Sequence, residues 1–344
     1  MTAKDTPISD RKDDHIQINL NMDVASSLSN GLEDYRFIHQ ALPEISLEDV
    51  DLKQTLFEKK QPVPVMVSSM TGGTPEASLI NRNLAIAAQE VGLAMGVGSQ
   101  RAAIKDINLS KSFQVRSYAP DILLFANLGA VQLNYGYSVD ECRQAVEMIE
   151  ANALILHLNP LQEALQPEGN VNFSNLIEKI ALVQKKLDVP LIIKEVGWGI
   201  SKTAAQMLFD AGVEAVDVAG AGGTSWSQVE MHRNKNVFKA QTAGAFIDWG
   251  IPTVESLQNV HSISQDWTVF ASGGLRNGID IAKCLALGAT LGGMAGPLLK
   301  AANDSPEMAI KVMRMIVDQI RIAMFASGAR ELSDLTPEKL IKIH

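Results

Sequence analysis

Eight short apolar segments, each followed by a stretch with helical spacing, run through this chain from residue 63 onward, and nothing else in it narrows the possible folds as far. The segments are Val63–Met70, Leu93–Val97, Ile122–Leu128, Ala153–Asn159, Pro190–Val196, Ala215–Gly220, Thr268–Gly273 and Leu291–Ala295. Between them, apolar residues recur with helical spacing of three and four, as in Leu79, Leu84, Ala87, Ala88 and Val91, or Ala204, Met207, Leu208 and Ala211 ahead of Gly212. Eight strands with helical crossovers predict an α/β chain folded as a (β/α)8 TIM barrel, with an open doubly wound sheet as the alternative. Residues 1–60 precede the repeat and read as a polar arm and cap, leaving 61–344 as one barrel domain ending in a helix over Pro306–Phe325. That helix carries Ile310, Met313, Ile316, Val317 and Ile320 as a stripe, predicted to cover barrel helices or a neighbouring subunit. The segments 160–172 and 224–250 read as long, lid-like loops on one rim.

Composition removes several function classes. A net charge of −9 with 5% aromatic residues argues against a basic, stacking nucleic-acid surface. The apolar runs are strand-length, so no membrane span is expected, and residues 1–20 lack a signal-peptide core. These features predict a cytoplasmic protein. Cys142 and Cys284 lie far apart in helical patterns without zinc-site spacing, and read as buried thiols.

Barrel enzymes work at the C-terminal ends of their strands, and strand residues alternate between interior and helix layer. By that parity Ile155, His157 and Asn159 on strand four face inward, with Gln162 and Glu163 on the following turn. Strand three sends Asn127 and strand five Lys194 to the same mouth. One inward His reads as a satisfied structural residue, but this cluster needs partners, and a buried Lys needs an anion or a carboxylate.

Glycine clusters supply a second theme. Ser272-Gly-Gly-Leu-Arg276 ends strand seven, Gly292-Gly-Met-Ala-Gly296 runs through strand eight, and Gly220-Ala-Gly-Gly-Thr224 follows strand six. They serve either tight turns alone or a phosphate held on loop amides and a helix N-terminus. Neither G-x-G-x-x-G nor a Walker A sequence is completed. Phosphate-binding amides at strands seven and eight, amides at strand one and an interior Lys suit a mononucleotide such as FMN. In the arm, Arg11 and Lys12 could join Arg101 as a clamp for a diphosphate if the arm folds over the mouth.

The set RKDDHI (11–16), SSMTGG (68–73), VGSQR (97–101), HLNPLQE (157–163), KEVG (194–197), GAGGTSW (220–226), SGGLRNG (272–278) and MAGP (294–297) resembles the type 2 isopentenyl-diphosphate isomerase family, in that family's order. The resemblance implies an FMN-dependent barrel, using Mg2+ and NADPH, that converts isopentenyl diphosphate to dimethylallyl diphosphate. It also implies a homo-oligomer, a tetramer or an octamer. Carried onto this chain, it implies FMN contacts from Ser69, Met70, Thr71, Ser99, Asn127, Lys194, Thr224, Gly274, Leu275, Arg276, Ala295 and Gly296. Substrate contacts would come from Arg11, Lys12, Ser99, Gln100, Arg101, His157, Asn159 and Gln162, and Glu163 would ligate Mg2+. Ala219 stands where some relatives carry Ser, which removes a side-chain flavin contact there.

Moving a double bond adds one proton and removes another with no net electron transfer. The resemblance supports reduced FMN as the acid–base group, NADPH as its reductant only, and Gln162 as the residue orienting substrate. The rivals are an FMN-dependent oxidoreductase of a small hydroxy acid on the same barrel, and a non-catalytic binder of phosphate ligands.

Overall fold

In the computed structural model, which describes residues 8–343, eight parallel strands close in chain order: β1 (Val65–Val67), β2 (Ala94–Gly96), β3 (Leu124–Gly129), β4 (Ala153–His157), β5 (Leu191–Lys194), β6 (Ala215–Asp217), β7 (Thr268–Ser272) and β8 (Leu291–Met294). β8 pairs back onto β1, Gly292 opposite Val65, and this closure excludes the open sheet. The ladders are shorter than the apolar runs because the residues beyond them turn into the rim loops.

The helices that matter for the site are α1 (Ile8–Asn21), α2 (Pro75–Val91), α3 (Pro160–Leu165), α4 (Trp226–Arg233), α5 (Val237–Gly244), α6 (Gly278–Ala286), α7 (Gly296–Asp304) and α8 (Pro306–Ala326). Their ends follow local chemistry. Thr74 caps α2 by accepting from the Ala77 N–H at 3.2 Å, Pro75 occupies the first turn, and Gly92 ends the helix at φ 85°. Ile80, Leu84, Ala87 and Ala88 then form its buried face. α8 buries Met313, Ile316, Val317, Ile320 and Met324 against α2, α6 and α7, so it covers barrel helices, one of the two expected roles.

Strand parity matches the sequence reading. Met66, Phe125, Ile155, Ile192, Phe270 and Leu291 fill the barrel, while Val65, Leu124, Leu154, Leu156 and Val216 face the helix layer. The lower end is sealed by a hairpin, Gln54–Leu56 against Lys59–Gln61, which straddles the junction between residues 60 and 61. Leu56 and Phe57 enter the barrel floor, where the Phe57 ring meets Phe125 and Phe270 edge-on at 6.3 Å each and those two stack at 6.1 Å. Phe57 and Glu58 both take positive φ, 48° and 59°, the twist a two-residue hairpin turn demands. Neither is glycine, and the strain is offset by the aromatic area that Phe57 carries into the floor. Ahead of the barrel, Tyr35–Phe37 pairs antiparallel with Leu340–Lys342 from the far end of the chain.

Two sequence expectations need correction. Residues 160–172 open with α3, and 224–250 contains α4 and α5, so neither is a plain loop. α3 is too short to show a helical period, and α4 keeps its polar residues Glu230 and Arg233 inside. Cys142 and Cys284 are buried, free and helical, and burial pushes the Cys142 thiol up to about 12. Among the described residues, no helix is long and apolar enough to cross a membrane.

Candidate active site

The C-terminal ends of the strands open into a cavity of about 550 Å³. Three neighbouring strands build one wall. His157 sits opposite Gly129 of β3 and Lys194 of β5, and Lys194 in turn sits opposite Asp217 of β6, so the row His157, Lys194, Asp217 crosses the barrel at one level. His157 Nδ1 lies 2.8 Å from Asn127 Oδ1. Burial, together with the charges of Lys194, Arg11 and Lys12, drives the imidazole down to about 4, so it is neutral near pH 7. With its Nδ1 proton donated to Asn127, Nε2 is left as an acceptor.

Asn159 and Pro160 start α3, and the first helical turn folds Gln162 and Glu163 back toward Asn159. Asn159 Nδ2 donates to Gln162 Oε1 and to Glu163 Oε1, both at 3.1 Å. Glu163 Oε2 accepts from the Asn170 N–H at 2.5 Å, and the chain can pass this close because Gly169 lies on the Glu163 carbonyl, where a Cβ would sit 1.7 Å from the oxygen. Asn159 Oδ1 is buried with no partner.

The arm crosses the mouth. Lys12 Nζ donates to the Ser99 carbonyl at 2.9 Å and Arg11 Nη1 to Gln166 Oε1 at 2.9 Å, and both side chains line the cavity with Arg101. Burial, helped by the Arg11 charge, pulls the Lys12 ammonium down to about 7. The Nε atoms of Arg11 and Arg101 are buried and unpartnered, a cationic corner with donors to spare. The segment after α1 is tied to the glycine rim: Ser26 N–H donates to the Gly223 carbonyl at 2.7 Å, and Ser225 N–H to the Val24 carbonyl at 2.8 Å.

The opposite wall is backbone. Gly223 and Gly274 press together so closely that a Cβ on Gly223 would lie 2.6 Å from the Gly274 nitrogen, and Gly274 takes φ 75°. Leu275, Arg276, Ala295 and Gly296 continue this wall, Gly296 beginning α7. Ser69, Met70 and Thr71 follow β1 into the cavity, and Thr224 Oγ1 reaches Asn19 Oδ1 of the arm at 3.2 Å. The hydroxyls of Ser68, Ser69 and Thr71 are buried without partners.

All the residues predicted from the sequence line this cavity except Gln100. Gln100 is fully buried behind it: its Nε2 donates to the Ala145 carbonyl at 2.8 Å and its Oε1 accepts from the Asn127 N–H at 2.9 Å, so its side chain braces Asn127 rather than lining the cavity.

Sequence reasoning missed two groups. His15 Nε2 of the arm lies 3.0 Å from Glu230 of α4, Arg233 bonds Glu230 and Glu168, and His15 packs edge-on against Trp226. Burial raises the Glu230 carboxyl, but the His15 and Arg233 contacts outweigh it and the net shift is downward. The second group is Asp217 with Glu195. Asp217 is fully buried and pairs with Lys194, and Glu195 Oε2 gathers the N–H groups of Val196, Gly197 and Trp198 at 2.5–2.7 Å. Burial drives the Glu195 carboxyl up to about 7 against those three donors. Parity along β6, where Asp217 shares a face with Ala215, would have found the first of the pair.

Residues 148–342 match the family profile described as FMN-dependent dehydrogenase. The isopentenyl-diphosphate delta-isomerase of Rickettsia canadensis (strain McKiel) is 50% identical over 331 residues, 96% of this chain and 97% of that protein. The enzyme of the same name from Nostoc sp. (strain PCC 7120 / SAG 25.82 / UTEX 2576) is 49% identical over 335 residues, covering 97% of this chain and 96% of that one. The chain belongs to the type 2 isopentenyl-diphosphate isomerase family. Solved structures similar to this isomerase include a double mutant of flavocytochrome b2 with pyruvate bound, at TM-score 0.70 and 17% identity over 95% of this chain and 82% of that one. A mandelate oxidase mutant with a monooxide FMN adduct follows at TM-score 0.66 and 17% identity over 94% of both chains. At that identity the likeness shows the barrel fold shared with FMN enzymes.

Proposed function

We propose that this isomerase converts isopentenyl diphosphate to dimethylallyl diphosphate with FMN in the barrel mouth, Mg2+ at the diphosphate and NADPH as the reductant of the flavin. The observation that carries the reading is one cavity with two anion-seeking ends. Arg11, Lys12 and Arg101 stand at one, glycine amides and the start of α7 at the other, and neutral His157, Asn159 and Gln162 lie between. The buried, unpartnered hydroxyls of Ser69 and Thr71 fit the donors and acceptors of a flavin mononucleotide. Glu163 lines the cavity beside the cationic corner and would hold the cation there, which would neutralise the diphosphate.

In this reading FMN is held by Ser69, Met70, Thr71, Ser99, Asn127, Lys194, Thr224, Gly274, Leu275, Arg276, Ala295 and Gly296. Reduced FMN supplies the acid–base chemistry at the alkene when bound. Arg11, Lys12, Ser99 and Arg101 fix the diphosphate, and Glu163 shares it with Mg2+. Asn159 holds Gln162 and Glu163 in one orientation, so anchoring of the charged end also places the carbons beside Gln162. Neutral His157 accepts a hydrogen bond rather than adding positive charge beside a carbon that becomes cationic. The part of the arm that lines the mouth, from Arg11 to Ala25, and α4 with α5 exclude water that would trap that carbon as an alcohol. The same reading carries a cytoplasmic homo-oligomer, a tetramer or an octamer, built of barrel domains over 61–344.

The test is an anaerobic assay with FMN, Mg2+ and isopentenyl diphosphate, following dimethylallyl diphosphate with and without NADPH. Product only with reduced flavin, at far less than one NADPH per product, is expected. Flavin reduced by a small hydroxy acid, with no isomerised product, would replace this reading with the oxidoreductase that the fold also serves.

A further inference from the structure

Asp217 has no assigned part in the site, yet it is the charge nearest to Lys194. Its Oδ2 lies 3.0 Å from Lys194 Nζ, its Oδ1 accepts from Ser272 Oγ at 2.7 Å, and it is fully buried under the cavity without lining it. Lys194 does line the cavity, and its remaining contacts are to neutral atoms, the Glu195 carbonyl at 3.0 Å and Ser272 Oγ at 3.4 Å. The barrel register places the two residues side by side on β5 and β6, so the pairing is built into the sheet rather than left to a loop.

A buried ammonium facing a cavity projects a full positive charge through a poorly screening interior, and a carboxylate 3.0 Å away cancels most of it. The Lys194–Asp217 pair thus presents the cavity with a dipole, not a monopole. An enzyme that reduced its flavin once and kept it reduced by charge alone would be served by an unpaired lysine. One that must leave reduced flavin basic enough to exchange protons is served by a tempered one.

We propose that Asp217 is a positioning residue that sets, through Lys194, the positive charge presented to the flavin, and so tunes the reduction potential and proton affinity of bound FMN. The proposal rests on the reading of the mouth as an FMN site. It orders four proteins by the net charge of the pair: Asp217→Asn highest in potential, wild type and the double variant Lys194→Met/Asp217→Asn close together, and Lys194→Met lowest. A purely structural role for Asp217 would alter stability without producing that order.

The experiment is a redox titration of the purified FMN-loaded proteins, read by flavin absorbance. Asp217→Asn is expected to shift the reduced-to-oxidised ratio at fixed poise about tenfold toward reduced, which is about 30 mV for a two-electron couple. A potential at or below wild type overturns the proposal. If Asp217→Asn alone does not fold, the double variant must lie above Lys194→Met, because removing both charges restores neutrality, and a double variant no higher than Lys194→Met overturns it equally. A wild-type chain that does not retain FMN overturns the flavin reading, and this assignment with it, whereas retained flavin with the wrong order of potentials overturns the assignment alone.

Discussion

The two ends of the barrel solve opposite problems with the same eight strands. At the lower end, Phe57 enters from a hairpin and packs on Phe125 and Phe270, an aromatic plug set among Leu56, Met66, Leu123, Ile155 and Ile192. At the upper end the same inward-facing rows run out into Asn127, His157, Lys194 and Asp217, and an arm from the start of the chain lies across them. The floor satisfies itself. The mouth leaves Asn159 Oδ1, Arg11 Nε, Arg101 Nε and three hydroxyls unpartnered while burying them. Stability is concentrated where nothing binds, and unmet hydrogen-bonding capacity where ligands arrive.

If that division holds, substitutions at the two ends should fail in different measurements. The largest effect is expected at the floor: Phe125→Ala should lose about 3–5 kcal/mol of stability in denaturant unfolding. FMN affinity of the fraction that stays folded should be nearly unchanged, and a selective loss of flavin binding would break the comparison. At the mouth, Glu163→Ala should weaken Mg2+-dependent substrate binding by about 2–3 kcal/mol, roughly 100-fold, with an unfolding midpoint close to wild type. An unchanged Mg2+ titration would remove Glu163 from the metal. Gln162→Asn keeps the amide and shortens its reach, so turnover should fall about tenfold or more while flavin retention stays intact. Full activity would contradict its orienting role.

The smallest effect is a pH dependence. Because burial lowers Lys12 to about 7, its charge is present below that pH and lost above it. Diphosphate capture, read as kcat/KM, should therefore decline severalfold between about pH 6 and pH 8. The Lys12→Arg variant, whose guanidinium keeps its charge, should flatten that limb. His157, neutral above about pH 4, should contribute no step in this range.

The inward-facing strand rows and the glycine wall were legible because they follow from period-two alternation and from clusters adjacent in sequence, Ile155 against Leu154 or Gly273-Gly274 at the end of one strand, whereas the floor hairpin over 54–61 fell in the segment read as arm and cap and was not foreseen. The mouth was legible as far as parity reaches, through His157, Asn127 and Lys194. What escaped depends on parts of the chain meeting across the fold. His15 finds Glu230 only once α1 lies over the rim, and α4 looks like a polar loop until that partner arrives, because its inward residues are Glu230 and Arg233 rather than leucines. Gln100 sits in the right motif, yet the turn after β2 points its amide at Ala145, away from the cavity. Motif membership names a neighbourhood, and the side chain's direction is settled by the backbone hydrogen bonds around it.

The pairing of Tyr35–Phe37 with Leu340–Lys342 has a consequence in the order of synthesis. A growing chain presents the first of these strands before any barrel strand and the second only after all eight, so this edge stays open throughout the making of the barrel. A product that stops short of Leu340 carries that edge exposed. A chain in which the two strands have met thus differs from one cut before Leu340 at a surface that other chains or proteases can read, and their pairing is marked by the disappearance of a sticky edge.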